Sequence, residues 1–87
     1  MRRAAKRDWN EEAIVRALEA IGVDVWRVSN PGLPDLLTHQ RGVWLPIEVK
    51  GPRGRLTNQQ AVMRRRVTFP VVRSVTEALA LFGVVDR

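Results

Sequence analysis

Three short strand-like runs follow one another between Val23 and Lys50 with only turn residues between them, and a helix intervenes before a fourth. Val23–Val28 alternates apolar and polar residues, Asp35–Gln40 forms a second run, and Val43–Lys50 forms a third, rich in Val, Ile and Trp. Ser29-Asn30-Pro31-Gly32 and Arg41-Gly42 are turn chemistry. Strands joined by tight turns pair antiparallel, whereas a strand–helix–strand connection returns as a right-handed crossover to a parallel neighbour. The flanking segments read as helices. Trp9–Ile21 carries Ile14, Val15, Leu18 and Ile21 at helical spacing, with Asp8 as the expected cap and Gly22 at its end. Thr57-Asn58-Gln59-Gln60 is a capping box that opens a helix to Val67. Pro70–Arg73 is the fourth strand, and Ser74-Val75-Thr76-Glu77 is a second capping box, opening a helix to Phe82 with Gly83 as its stop. The predicted order is α-β-β-β-α-β-α, an α/β fold whose mixed four-stranded sheet is flanked by helices. Pro46 cannot donate to a ladder, so a bulge or an unpaired edge is expected in the third strand.

With 87 residues the chain makes one domain, expected over 9–87 behind a basic arm at 1–8 that carries Arg2, Arg3, Lys6 and Arg7. No apolar run reaches the roughly 18–20 residues of a membrane span. Trp9-Asn10-Glu11-Glu12 stands where a signal peptide needs an apolar core, so a cytoplasmic protein without a membrane partner is expected. With no Cys and a lone His39, a thiolate nucleophile, a Cys-ligated zinc, a disulfide framework and a multi-His metal site are excluded. Fifteen Lys and Arg against nine Asp and Glu leave a net charge of +6, and all the cations except Lys6 and Lys50 are arginines. Guanidinium forks suit phosphate, which makes nucleic acid a natural partner; a compositional bias towards Arg explains the same count. Trp9, Trp26, Trp44, Phe69 and Phe82 are expected mostly in the core, with one or two at an interface, and His39 at the surface or in packing.

Most of the acids have ordinary explanations as caps or surface charges, and three do not. Glu48 and Lys50 lie two apart on a strand and project from one face, opposite Ile47 and Val49. Asp35 follows Gly32-Leu33-Pro34, which sets its carboxylate at the mouth of a strand. Glu11 shares the face of Ile14, Val15 and Leu18, where an acid is costly unless something pairs with it. Taken singly, each has an alternative: a surface salt pair, a Pro-Asp turn, and a first-turn acid favoured by the helix dipole.

Taken in order, Glu11, Gly32-Leu33-Pro34-Asp35, Glu48-Val49-Lys50 and Leu56-Thr57-Asn58-Gln59-Gln60 form a set. That set resembles the PD-(D/E)XK nuclease superfamily, and most closely the small stand-alone VRR-NUC domains of bacteria and their phages. The resemblance runs from Glu11 to Leu81 and includes the ending Val71-Val72-Arg73-Ser74-Val75-Thr76-Glu77-Ala78; Pro46 departs from it. It implies a restriction-endonuclease-like αβββαβ core and a divalent-metal-dependent DNA endonuclease that leaves a 5′-phosphate, structure-specific in the manner of the Holliday junction resolvases or acting on flaps, in repair, recombination or phage replication.

By the same resemblance, Asp35, Glu48 and the Val49 carbonyl ligate Mg²⁺ or Mn²⁺, with Glu11 acting through water or a second ion. Lys50 positions the attacking water and stabilises negative charge, and Gln60 orients Lys50 or that water. The Thr57–Gln60 capping box is a second explanation of Gln60. Arg53, Arg55, Arg64, Arg65 and Arg66 follow the motif and are candidates for phosphate contacts, which position DNA without specifying sequence. A solvated basic helix face is the competing reading of those arginines. A homodimer is expected, because one globule about 24 Å across spans too few base pairs to recognise a branched structure. Val84-Val85 and one tryptophan are its candidate contacts. Two other classes remain open: a non-catalytic nucleic-acid-binding module on the same fold, and a basic protein that binds another protein.

Overall fold

The computed structural model describes residues 9–85. The basic arm at 1–8 and the expected cap Asp8 lie outside the described residues. The elements are α1 (Glu11–Ala20), β1 (Asp24–Arg27), β2 (Leu36–Gln40), β3 (Val43–Val49), α2 (Asn58–Arg66), β4 (Val71–Val72) and α3 (Val75–Ala80). The sheet order is β1-β2-β3-β4, antiparallel for the first two pairs and parallel for β3 with β4. The chain is therefore α/β, with a mixed four-stranded sheet and helices beside it, in the element order that the sequence predicts.

The core lies on one face of the sheet. Ile14, Val15 and Leu18 of α1 and Ala78 of α3 pack with Val23, Leu36, Ile47, Val49 and Val72. Residues paired across a sheet point to the same side, and the register Leu36↔Ile47 and Thr38↔Leu45 collects those side chains with Val25 and Val49 under the two helices. The same alternation sends Asp24, Trp26, Leu37, His39, Trp44, Pro46 and Glu48 to the opposite face. This corrects the expected place of the tryptophans: Trp9, Trp26 and Trp44 are 80%, 50% and 57% exposed, and only Phe69 of the five aromatic residues is buried. Trp26 and Trp44 are on the far side because of their parity in β1 and β3, and Trp9 precedes α1.

Pro46 causes no bulge. The Arg41-Gly42 turn has φ values of 53° and 81°, both left-handed, as a two-residue hairpin requires. Such a turn makes Gln40–Val43 a hydrogen-bonded pair, and alternation makes Leu37–Pro46 a non-hydrogen-bonded one. The missing donor therefore faces away from β2, on the edge where pairing with β4 begins only at Glu48.

Side-chain caps fix the starts of α2 and α3 but not of α1. α1 begins at Glu11 behind Asn10, whose side chain does not cap it but donates from Nδ2 to the carbonyls of Lys50 (3.3 Å) and Arg73 (3.0 Å). The α2 box is complete: Thr57 Oγ1 accepts from the Gln60 N–H at 3.1 Å, and Gln60 Oε1 accepts from the Thr57 N–H at 2.9 Å. At α3 the Ser74 hydroxyl accepts from the Glu77 N–H as expected, but the Glu77 carboxylate reaches one residue further back, to the Arg73 N–H. Among the described residues no helix is long and apolar enough to cross a membrane.

The β1–β2 connection presses on α2. The Leu33 N–H donates to the Asn30 carbonyl at 3.2 Å, with Pro31 and Gly32 as the central turn residues. Gly32 has φ +83°, and a Cβ there would lie 3.3 Å from the Gln59 Cβ. Gly32→Ala combines a left-handed alanine with that close approach and is expected to cost about 1–2 kcal/mol, read as a lower urea midpoint with an unchanged slope. A wild-type midpoint would mean that the turn does not need glycine.

Candidate functional site

The buried acid of the sheet is Glu48. It is fully buried on β3, on the face away from α1 and α3. Its Oε2 accepts from Gln60 Nε2 at 2.7 Å and lies 3.3 Å from Lys50 Nζ, while its Oε1 has no hydrogen-bond partner. Lys50 follows two residues on, as strand alternation predicts, and its side chain is 12% exposed.

Asp35 stands just before β2, opposite Glu48 in the continued register. The ladder ends at Leu36, and the Asp35 side chain replaces it: Oδ2 accepts from the Val49 N–H at 2.9 Å. The Asp35 carbonyl accepts from the Val28 N–H at 2.7 Å, so its backbone is tied to the end of β1 as well. In an extended strand a residue's N–H and C=O point to one edge, so the Val49 carbonyl also faces the Asp35 side.

Burial, in first place, and then the negative charge of Asp35 push the Glu48 carboxyl up from 4.5 to about 7, against the opposing pull of Lys50. A carboxyl in that state is poised between neutral and charged forms at neutral pH, a perturbation that functional sites use often.

The remaining predicted residues fall in different places. Gln60 makes both the capping box and the bond to Glu48, so its two sequence readings hold together. Glu11 is 3% exposed and lies 3.1 Å from Arg27 Nε, which supplies the partner that a buried acid requires. Among the described residues no group of three or more His, Cys, Asp or Glu is arranged to hold a metal ion. Asp35 and Glu48 are thus brought together, and Glu11 is not gathered into a three-acid cluster with them. Arg53, Arg55, Arg64, Arg65 and Arg66 are all exposed. Arg64 donates to the Phe69 carbonyl at 3.1 Å and holds its guanidinium 5.8 Å from the Phe69 ring centre. Three successive helical positions fan over about 200°, so Arg64, Arg65 and Arg66 do not share one direction. His39 is half-buried, with Nδ1 3.1 Å from Asp24 Oδ2.

Three residues absent from the sequence-based site shape it. Asn10 ties the end of β3 to the end of β4 through the two carbonyls it holds. Arg73 Nη1 donates to the carbonyls of Gly51 (2.8 Å) and Gly54 (2.7 Å), clamping the loop that follows Lys50. A Cβ at Gly54 would lie 3.3 Å from Lys50 Cβ and Cδ, so the clamped loop packs on the lysine stem. Arg27 anchors Glu11 and, through Nη2 at 2.6 Å, Glu12. Sequence carries a weak signal for Asn10, at the position before the first acids of a helix, and none for Arg27; Arg73 stands in the ending that shares the family resemblance, with no role attached to it.

The raised Glu48 carboxyl has a stability consequence with a definite sign. Between pH 4.5 and about 7 the folded protein holds a proton that the unfolded chain has released. Stability therefore falls as pH rises through that window. In EDTA this group is expected to cost about 1–3 kcal/mol between pH 5 and pH 8, and Glu48→Gln is expected to abolish that part of the slope. Urea midpoints across the pH range check it; equal slopes in the two proteins would refute the assignment.

No family model, curated protein or solved structure matches this chain.

Proposed function

We propose that the chain is a divalent-metal-dependent DNA endonuclease of the PD-(D/E)XK type, close to the small VRR-NUC domains, with Asp35, Glu48 and Lys50 at its active site. The observation that carries this reading is a fully buried Glu48 whose charge is opposed by Asp35 and which lies 3.3 Å from Lys50 Nζ. Two acids held beside each other in a buried place repel, and a cation between them would relieve that cost.

The donors suit a hard ion. Mg²⁺ binds through one or two carboxylates and keeps its remaining positions for water and substrate phosphate, so a three-acid cage is not needed. Asp35, Glu48 and the Val49 carbonyl would hold Mg²⁺ or Mn²⁺; Glu11, tied to Arg27, would enter only through water or a second ion. When bound, the ion supplies charge neutralisation at the phosphate and acidifies water. The chain's own residues do the rest. Gln60 fixes the orientation of the Glu48 carboxyl by holding Oε2 at 2.7 Å. Lys50, braced by the Gly51–Gly54 loop, presents ammonium donors to the attacking water and to the charge that develops on the phosphate. Exposed Arg53 and Arg55, in the loop after Lys50, and Arg65 and Arg66 of α2 hold the DNA backbone. Two-fold pairing of chains belongs to the same reading, since it would set two sites for cuts in opposite strands; exposed Val84 and Val85 are available for it.

Cleavage of flap, junction and duplex DNA in Mg²⁺ or Mn²⁺ is expected to stop in EDTA and to fall by at least about 100-fold in Asp35→Ala, Glu48→Ala and Lys50→Ala, with far-ultraviolet circular dichroism unchanged. Wild-type cutting by Glu48→Ala would sink the reading. DNA binding that persists without any cutting would favour a non-catalytic binding module. The logarithm of the binding constant is expected to fall with the logarithm of salt by about 0.9 per neutralised phosphate, with a shallower slope once Arg65 and Arg66 are replaced. Sedimentation equilibrium checks the pairing: a single 9.9 kDa chain, both free and per bound DNA, would exclude it.

A further inference from the structure

The face that carries Glu48 also carries aromatic residues, arranged in rows by the strand register. Asp24, His39 and Trp44 make one cross-strand row, Trp26, Leu37 and Pro46 the next, and Asp35 and Glu48 the one after. Two residues of strand separate successive rows, so Trp26 lies about 7 Å and Trp44 about 13 Å along the sheet from the Glu48 row. Trp26 and Trp44 belong to strands that β2 separates, and their rings meet across it, stacked with centroids 5.6 Å apart and planes 26° from parallel. The His39 ring stands against Trp44 with centroids 4.8 Å apart and is itself fixed by Asp24 at 3.1 Å and by the Gly42 N–H at 3.2 Å.

Mutual stacking lends the sheet some stability, but it does not hide these rings. Trp26 remains 50% and Trp44 57% exposed, on a protein that has placed its apolar core on the other face. Large flat rings held open beside a polar site are what unpaired nucleobases bind: every base has a π face, and stacking needs no particular sequence. A base inside a duplex is already stacked on both sides and cannot reach them. Arg41 is exposed at the hairpin tip beyond the Trp44 row, and Asp24, the acid of that row, is held by His39 at 3.1 Å. The chain as a whole carries +6.

We infer that Trp26 and Trp44 form a stacking platform for unpaired bases a few nucleotides from the Asp35–Glu48 site, so that the preferred substrate carries a single-stranded segment. This deepens the nuclease reading and rests on it for its meaning, but the platform can be measured without catalysis.

The test uses short oligothymidylate with the full chain in EDTA, in a Trp9→Phe background so that emission reports Trp26 and Trp44. Saturable quenching is expected. Trp44→Ala and Trp26→Ala are each expected to weaken oligothymidylate binding about 5- to 100-fold, with duplex affinity nearly unchanged, and Trp44→Phe is expected to recover most of the loss. Thermal melts of each variant separate lost stacking from lost fold. Absence of quenching, or alanine variants with wild-type affinity and an intact fold, overturns the platform. Alanine variants that convert a dimer to a monomer without changing oligothymidylate affinity also overturn it, because the face is then a contact between copies of this chain. Cleavage by Glu48→Ala is scored separately: wild-type cutting there removes the catalytic reading, while quenching that survives keeps the platform.

Discussion

A carboxyl group without solvent access must be paired, hydrogen-bonded or left protonated, and the arrangement around Glu48 follows from that demand. Its Oε2 takes a hydrogen bond from Gln60 and the nearby charge of Lys50. The same bond attaches α2 to the sheet. That helix buries only Gln60 and presents no apolar stripe, because its apolar residues Ala61, Val62 and Met63 are consecutive and point in different directions. Its other ties include the press of Gly32 on Gln59, the bond from Arg64 to the Phe69 carbonyl and the Arg64 guanidinium over the Phe69 ring. Where α1 and α3 are held by hydrophobic burial, α2 is held by the chemistry of the candidate site, so the site and the helix position depend on each other.

Strand parity divides the labour of the sheet. One face receives Leu36, Ile47 and Val49 beneath α1 and α3; the other receives Glu48 and the aromatic rows. A register slip of one residue would exchange the two sets. The left-handed Arg41-Gly42 turn pins the β2–β3 register, and the Asp35 bond to the Val49 N–H extends that pairing past the end of the ladder. Asp35 therefore has a structural part as well as its place beside Glu48.

Much of this was legible in the sequence because it rests on local rules. The element order, the caps at Thr57 and Ser74 and the shared face of Glu48 and Lys50 all come from short-range spacing. So does the burial of Glu11, although its partner, sixteen residues away in Arg27, does not. The aromatic residues show where local rules stop. Hydrophobicity sends tryptophan inward, but parity in β1 and β3, which only the register reveals, sets Trp26 and Trp44 on the open face. Pro46 is the same case in reverse: proline in a central strand is unfavourable in general, and harmless at a non-hydrogen-bonded position where the next strand has not yet begun.

Asn10 and Arg73 were hidden for a further reason. β4 is two residues long and meets β3 only at Glu48 and Val49, so the ladder itself cannot hold the chain beyond Lys50. Apolar packing cannot serve there either, because the side chain that must be placed is a cation. Four hydrogen bonds to main-chain carbonyls do the work instead, two from Asn10 and two from Arg73. At a net of about 0.5–1.5 kcal/mol each they rival the burial of one large side chain. They join α1, the end of β3, the Gly51–Gly54 loop and the end of β4 at one point, and the stem of Lys50 lies against that point through Gly54. The lysine is thus aimed at Glu48 by polar stitching drawn from both ends of the chain. A small domain can keep a charged group rigid beside a buried acid in this way without extending its hydrophobic core to reach it.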